Sequence, residues 1–197
     1  MIRPAAANTR RERLRGATRA EHACLDQLVD TRRYFTNPSL YREWLRRMGA
    51  FHREVSSAIA DSPVRGGLPL AAFMQRTTLL HHDLADLEYL GDEVDWPHSP
   101  TLGILPPRTL ADAFGMLYVV EGAALGARIL LVKAHHLGMT ERRGARQLAY
   151  AARDFADWHL FVARLDELAC TPSEELAMET TARRTFSCAA THMSRRI

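Results

Sequence analysis

The chain has 197 residues, of which 47% are hydrophobic and 25% charged, with a formal net charge of +3; this suits one soluble domain with a sizeable core. Uninterrupted apolar runs such as Ile129 to Val132 are short, so no transmembrane helix is expected. Met1 to Arg13 has arginines but no apolar h-region, so it does not read as a secretory signal. Cys24, Cys170 and Cys188 are odd in number, far apart and form no Cys-x-x-Cys, the pattern of reduced thiols in a cytoplasmic protein. The positive balance permits an acidic partner, but zinc-finger spacing, an aromatic–basic platform and a long basic run are all missing, which argues against nucleic acid.

Helical periodicity dominates, and no convincing alternating strand interrupts it. Residues 1–8 read as a flexible N-terminus and 9–197 as one helical domain. Helix one is expected over about Thr9 to Asp30, with Leu14, Thr18, Glu21, His22, Leu25, Leu28 and Val29 on or beside one face. Asn37 is a good N-cap for helix two and Pro38 suits its first position; its stripe is Leu40, Trp44, Met48, Phe51, Val55 and Ile59. Gly66, Gly67 and Pro69 mark a loop before helix three, about Leu70 to Leu90, which Gly91 closes. Asp92 to Pro107 carries four prolines and reads as a long connection. Helix four covers about Arg108 to Leu137 and ends at Gly138. Thr140 is the expected cap of a fifth helix reaching about Tyr150, and a sixth covers about Phe155 to Leu168. Thr171, Pro172 and Glu174 supply the cap, the first-turn proline and the capping-box acid of a last helix. The expected architecture is a single all-α bundle of about seven helices.

Helix four holds the strongest anomaly. Gly115, Gly122 and Gly126 interrupt an otherwise strong helix, each costing roughly 0.8–1 kcal/mol relative to alanine. Three of them cost a large fraction of a typical domain's net stability. Gly122 and Gly126 are four apart and share a face, which calls for something flat with no room for a Cβ: a neighbouring helix backbone or a planar ligand. His22 sits on the apolar side of helix one, where a histidine is either a hydrogen-bonded core residue or an axial ligand to haem iron. The second role needs its other ring nitrogen held by an acceptor, and Asp26, one turn on, can be that acceptor. Arg15, seven residues before His22, can pair with a ligand carboxylate. Tyr118, one turn before Gly122, can reach the same group, whereas Arg128 is expected to point elsewhere. The adjacent pairs His81-His82 and His135-His136 diverge around their helices and chelate poorly. No glutamate has a histidine three residues later, which excludes the di-iron bundle pattern. Gly-x-Ser-x-Gly and Walker loops are absent too.

These residues together resemble the haem oxygenase family. Leu14-Arg-Gly-Ala-Thr-Arg-Ala-Glu-His22 is similar to its proximal helix, and Leu117-Tyr-Val-Val-Glu-Gly-Ala-Ala-Leu-Gly-Ala-Arg-Ile-Leu130 to its distal helix. Fainter echoes are Tyr41-Arg-Glu-Trp-Leu with Phe51-His, His82-Asp-Leu-Ala-Asp86 and Ala182-Arg-Arg-Thr-Phe186, so the likeness spans most of the chain. Its flavour is that of the bacterial, bacteriophytochrome-associated branch. The resemblance implies b-type haem, both cofactor and substrate, sandwiched by two helices and opened with O2 and electrons to biliverdin, iron and CO. It implies His22 as the iron ligand, Asp26 as the acid orienting it, Arg15 as a propionate partner, and Gly122 and Gly126 as the points where backbone approaches the macrocycle. Two departures stand out. Ala123 occupies the place where many members carry a water-organising aspartate, and alanine can neither donate nor accept through its side chain. Val162 stands where a C-terminal propionate-binding arginine is expected, leaving Arg164 as the nearest candidate.

The expected function is a biliverdin-forming monooxygenase with an external electron donor, a small acidic ferredoxin or flavodoxin, and a bacteriophytochrome as a possible recipient of biliverdin. A non-catalytic haem-binding sensor or carrier is the alternative that Ala123 favours. A helical enzyme with another small substrate, such as a thiaminase-type bundle, is opposed by His22 with Asp26. A purely structural module leaves the glycines unexplained.

Overall fold

A computed structural model describes residues 9–87, 103–153 and 155–194. The expected flexible N-terminus, the Leu90–Gly91 end of helix three and most of the proline-rich connection lie outside them. Nine α-helices occur among the described residues, with no named strand: α1 (Arg10–Ala17), α2 (Arg19–Thr31), α3 (Pro38–Ala60), α4 (Ala71–Ala85), α5 (Leu110–Gly122), α6 (Ala124–His136), α7 (Arg146–Ala152), α8 (Ala156–Glu167) and α9 (Pro172–Ser194). Two of the expected seven are each split in two, which accounts for the higher number.

Both splits have local causes. At Thr18, between α1 and α2, the hydroxyl donates to the Leu14 carbonyl at 2.8 Å, a back-bond that competes with regular helix and bends it. At Ala123, between α5 and α6, Gly126 N donates three residues back to the Ala123 carbonyl at 3.3 Å, the tight turn of a locally overwound helix, in the segment that Gly122 and Gly126 weaken.

The caps read from the sequence form at Asn37, whose side chain accepts from Leu40 N at 2.9 Å, and at Thr171, whose own N–H reaches Glu174 at 2.8 Å. Thr140 does not start a helix. Its N–H bonds the Arg143 carbonyl at 2.8 Å in a small turn, with positive φ at Gly138 and Gly144, and α7 begins only at Arg146. The cap for α7 comes from another helix: the Asp83 carboxylate on α4 accepts from Arg146 N and Gln147 N, each at 2.8 Å. That places an acid at a helix N-terminus.

Helix α5 is the spine. It packs on α9 and α8, α2 lies on α9, α3 packs on α4 and α9, and α7 packs on α6 and α4. Phe114, Met116, Leu117 and Val120 of α5 meet Phe51, Val55, Phe73, Phe161 and Met178 in one core, and Tyr34, Tyr41, Trp44, Leu80, Leu84 and Leu148 build a second. Each such large side chain contributes about 1.5–3 kcal/mol by leaving water. Leu110–His136 is long and apolar enough to span a bilayer by composition alone, which corrects the expectation from short apolar runs. The segment bends at Ala123, and most of α5 is buried in the core, which accounts for its apolar composition.

Buried Glu54 of α3 ties the core to α9. It accepts from Ile104 N at 3.1 Å and lies 2.9 Å from Nε2 of His192, with Cys188 alongside. These contacts serve the carboxylate as a structural hub. The three cysteines are all free.

Candidate functional site

The three glycines of the α5–α6 segment have three different surroundings. A Cβ on Gly115 would lie 2.2 Å from the Met178 carbonyl oxygen of α9, so Gly115 is a helix-packing glycine. A Cβ on Gly122 would touch the Trp158 ring at 3.7 Å, an ordinary contact, and one on Gly126 would meet nothing within 4 Å. Ile129 falls on the same side of α6 as Gly122 and Gly126 and is 65% exposed. The result is an open apolar strip without side-chain relief, the surface that a planar macrocycle fits and a neighbouring helix does not occupy.

Helix α2 runs beside this strip. At one end the Tyr118 phenol lies against Thr18, with Arg11 and Arg15 close enough to act on it. At the other, Lys133 Nζ reaches Asp30 at 3.4 Å. The two contacts follow the same chain order, so α2, which packs on α9, runs in the same direction as the α5–α6 segment. His22 is four residues beyond Thr18 and Gly122 four beyond Tyr118, about 6 Å along each helix, so His22 stands level with the glycine strip.

His22 is not a core histidine. Its side chain is 59% exposed, and Nδ1 lies 2.9 Å from Asp26 Oδ2. That contact orients the ring and leaves Nε2 to a ligand. Phe186 of α9 abuts the ring edge-on at 5.4 Å. An oriented imidazole with a free nitrogen, level with a cleared helix face, fits haem.

Arg15 and Tyr118 come together at the Thr18 end, where two guanidinium groups and a phenol can receive a carboxylate. Burial pushes the Tyr118 phenol up, opposed by the charges of Arg11 and Arg15. Ala123 sits exposed at the bend. Arg164 is exposed near the end of α8, and no contact among the described residues joins it to Arg15 or Tyr118. Arg128 points away, its Nε donating to the Ala152 carbonyl at 3.0 Å and its guanidinium over Phe155.

Sequence reasoning missed Trp158, which walls Gly122 and packs 5.9 Å from the Tyr118 ring. It also missed the partner of Glu121: Arg76 of α4, buried, with Nη2 2.9 Å from Glu121 Oε2 and 3.1 Å from the Val120 carbonyl. A tryptophan in the first turn of a late helix and an arginine in mid-helix carry no local signal of such roles. Both reach the site only through tertiary packing.

Comparisons with known proteins give the family. The family model described as heme oxygenase matches residues 9–195. Heme oxygenase PigA of Pseudomonas aeruginosa is 30% identical over 169 residues, 85% of this chain and 83% of that protein. The fold superposes on the NO- and CO-bound heme oxygenase of Neisseria meningitidis with a TM-score of 0.76 and 29% identity, over 95% of this chain and 91% of the other. The chain belongs to the haem oxygenase family and is a haem-degrading monooxygenase.

Proposed function

We propose that this chain seats haem in the cleft between α2 and the glycine strip of α5 and α6, with Nε2 of His22 as the iron ligand, and converts it to biliverdin, iron and CO with O2 and externally supplied electrons. The observation that carries this reading is the level placement of an oriented imidazole, His22 with Asp26 at 2.9 Å, beside a helix face cleared at Gly126. Bound haem supplies both the centre that activates O2 and the macrocycle that is oxidised.

The chain's residues do the rest. Asp26 accepts the Nδ1 proton and keeps the lone pair of Nε2 outward, which strengthens imidazole as a ligand. Arg15 and Tyr118 would hold a propionate of bound haem at the Thr18 end of the cleft. Gly122 and Gly126 would let a macrocycle approach the helix backbone, and that close approach would restrict which meso carbon is oxidised. Trp158 closes the wall behind Gly122 and keeps bulk water out. Arg164 is the weaker candidate for a second propionate, because it lies apart from the Arg15–Tyr118 pair.

A positive net charge of +3 favours a small acidic ferredoxin or flavodoxin as donor; reduction by it should slow as salt is added, and a salt-independent rate would count against that class. Likeness to the bacteriophytochrome-associated branch supports a bacteriophytochrome as recipient, and the thiols and charge balance support a cytoplasmic setting. The non-catalytic carrier is not favoured, because the heme oxygenase family model matches residues 9–195.

The test is optical titration of the purified protein and its His22→Ala variant with haem, followed by reductant and air. A Soret band that needs His22 and decays into the broad red absorption of biliverdin is expected. A full-strength band in His22→Ala would remove the proposed ligand, and a persistent band in the wild type would revive the carrier.

A further inference from the structure

The hub at Glu54 brings together three groups of the kinds that bind transition metals. A carboxylate oxygen of Glu54, a ring nitrogen of His192 and Sγ of Cys188 all lie within 4.8 Å of one another. The three residues are 8%, 3% and 5% exposed. Cys188 and His192 are four apart on α9 and share a face, the spacing by which one helix offers two ligands to one ion. Glu54 comes from α3, which packs on α9. Its Oε2 is 2.9 Å from Nε2 of His192. Its Oε1 accepts from Ile104 N at 3.1 Å, the kind of outer hydrogen bond that orients a ligating carboxylate. Arg47 Nη1 holds the His192 carbonyl at 2.6 Å and fixes the end of α9. Ligand atoms around a tetrahedral ion lie about 3.3–3.6 Å apart, so small side-chain rotations close this triangle on one.

We propose that Glu54, Cys188 and His192 form a zinc site that pins α9 to α3, with water from the adjoining cavity as the fourth ligand. This stands independently of the haem reading above. A thiolate with an imidazole selects zinc over magnesium or calcium, which take oxygen alone. The thiolate and the carboxylate neutralise the ion, so the buried site carries no net charge. Cys188 also lines a cavity of about 460 Å3 with Ile104, Ser187 and Thr191, which gives the ion an entry path and room for a water. Arg183 and Arg184 stand on the same wall; a neutral site does not repel them, and Arg183 is already tied to the Ala17 carbonyl at 2.7 Å. Burial and Glu54 push the Cys188 thiol up, so its proton leaves only when a cation replaces it. On binding, that proton goes to solvent, the His192 ring proton moves from Nε2 to Nδ1, and zinc keeps its oxidation state.

The test loads the full chain, without haem, with one equivalent of zinc alone. Wild type is compared with Cys188→Ser and with the double variant Cys24→Ser, Cys170→Ser. Cys24 is exposed and Cys170 half-buried, and the double variant leaves Cys188 as its one thiol. X-ray absorption at the zinc edge of the double variant should show one sulfur at about 2.3 Å among nitrogen and oxygen neighbours at about 2.0–2.2 Å. Zinc should raise the Tm of that variant. Cys188→Ser removes a ligand outright and should weaken zinc binding at least about a hundredfold, the upper end of the loss when only an outer hydrogen-bond partner is removed. A zinc shell without sulfur, or equal affinity in Cys188→Ser, overturns the proposal and assigns the ion to exposed groups such as His135 and His136. A wild type that takes up no zinc overturns it as well. Should Cys188→Ser or the double variant fail to fold, the absorption spectrum of the zinc-loaded wild type decides, one sulfur supporting the site and none overturning it. Haem is absent throughout, so failure here leaves the haem reading untouched.

Discussion

Gly115 and Gly126 look alike in the sequence and do opposite things. At Gly115 a methyl meets fixed backbone of α9 at 2.2 Å, which flexible side chains cannot relieve. Gly115→Ala should therefore destabilise the protein by about 1–3 kcal/mol through overpacking, despite a helix-propensity gain of about 1 kcal/mol. At Gly126 a methyl meets nothing, so Gly126→Ala should stabilise the haem-free protein by up to about 1 kcal/mol while weakening haem binding about tenfold, or about 1.4 kcal/mol. Denaturant melts of both variants with haem titration of the second check this. Equal destabilisation by the two would contradict the division of roles. The expense of the glycines was legible from sequence. Their separate partners were not, because Met178 and Trp158 come from helices that follow by more than 30 residues.

At the scale of elements, caps built from neighbours in sequence were legible and caps built across space were not. Asn37 and Thr171 lie within three residues of the groups they bond. Helix α7 instead borrows Asp83 from α4, 63 residues before Arg146, so a local reading started the helix at Thr140. The fragment His82-Asp-Leu-Ala-Asp86, noticed only as a family echo, turns out to be this clasp: Asp86 accepts from Gly144 N at 2.8 Å and pairs with Arg146. Asp83→Ala removes the carboxylate that accepts from two backbone N–H groups at the start of α7 and should cost about 1–3 kcal/mol. Hydrogen exchange should show α7 opening more than α3. Uniform protection across the two helices would contradict the clasp. The breaks at Thr18 and Ala123 were hidden for a different reason. The apolar pattern runs through both, and only a hydroxyl back-bond and a tight turn interrupt the backbone.

For the molecule as a whole, the interior polar groups give stability a pH dependence that the composition does not reveal. Thr77 donates its single hydroxyl proton to the Phe73 carbonyl at 2.9 Å, so it must accept from Nδ1–H of buried His52 at 2.9 Å. Burial, with Arg76 and His81 nearby, pushes His52 down to about 3 from an ordinary value near 6.5. A group depressed in the folded state contributes stability that is full above its unfolded value and is lost as pH falls. Stability should therefore decline from pH 6.5 toward 3 with a slope of up to one proton. His52→Gln, which can still donate to Thr77, should flatten that limb in urea midpoints measured across the range. An unchanged limb would assign it to other groups. The parallel course of α2 and the glycine helix was likewise beyond sequence. It follows from the packing of α2 on α9 and shows in contacts between residues 100 or more apart, Thr18 with Tyr118 and Asp30 with Lys133.

That parallel course is what makes one histidine and two glycines into a site, and the iron's protein ligand tests it most directly. A crystal structure of the ferric haem complex should place Nε2 of His22 on the iron, Nδ1 on Asp26, and the macrocycle flat against Gly122 and Gly126. Iron bound by any other side chain, or haem lying away from the glycine strip, would contradict the account.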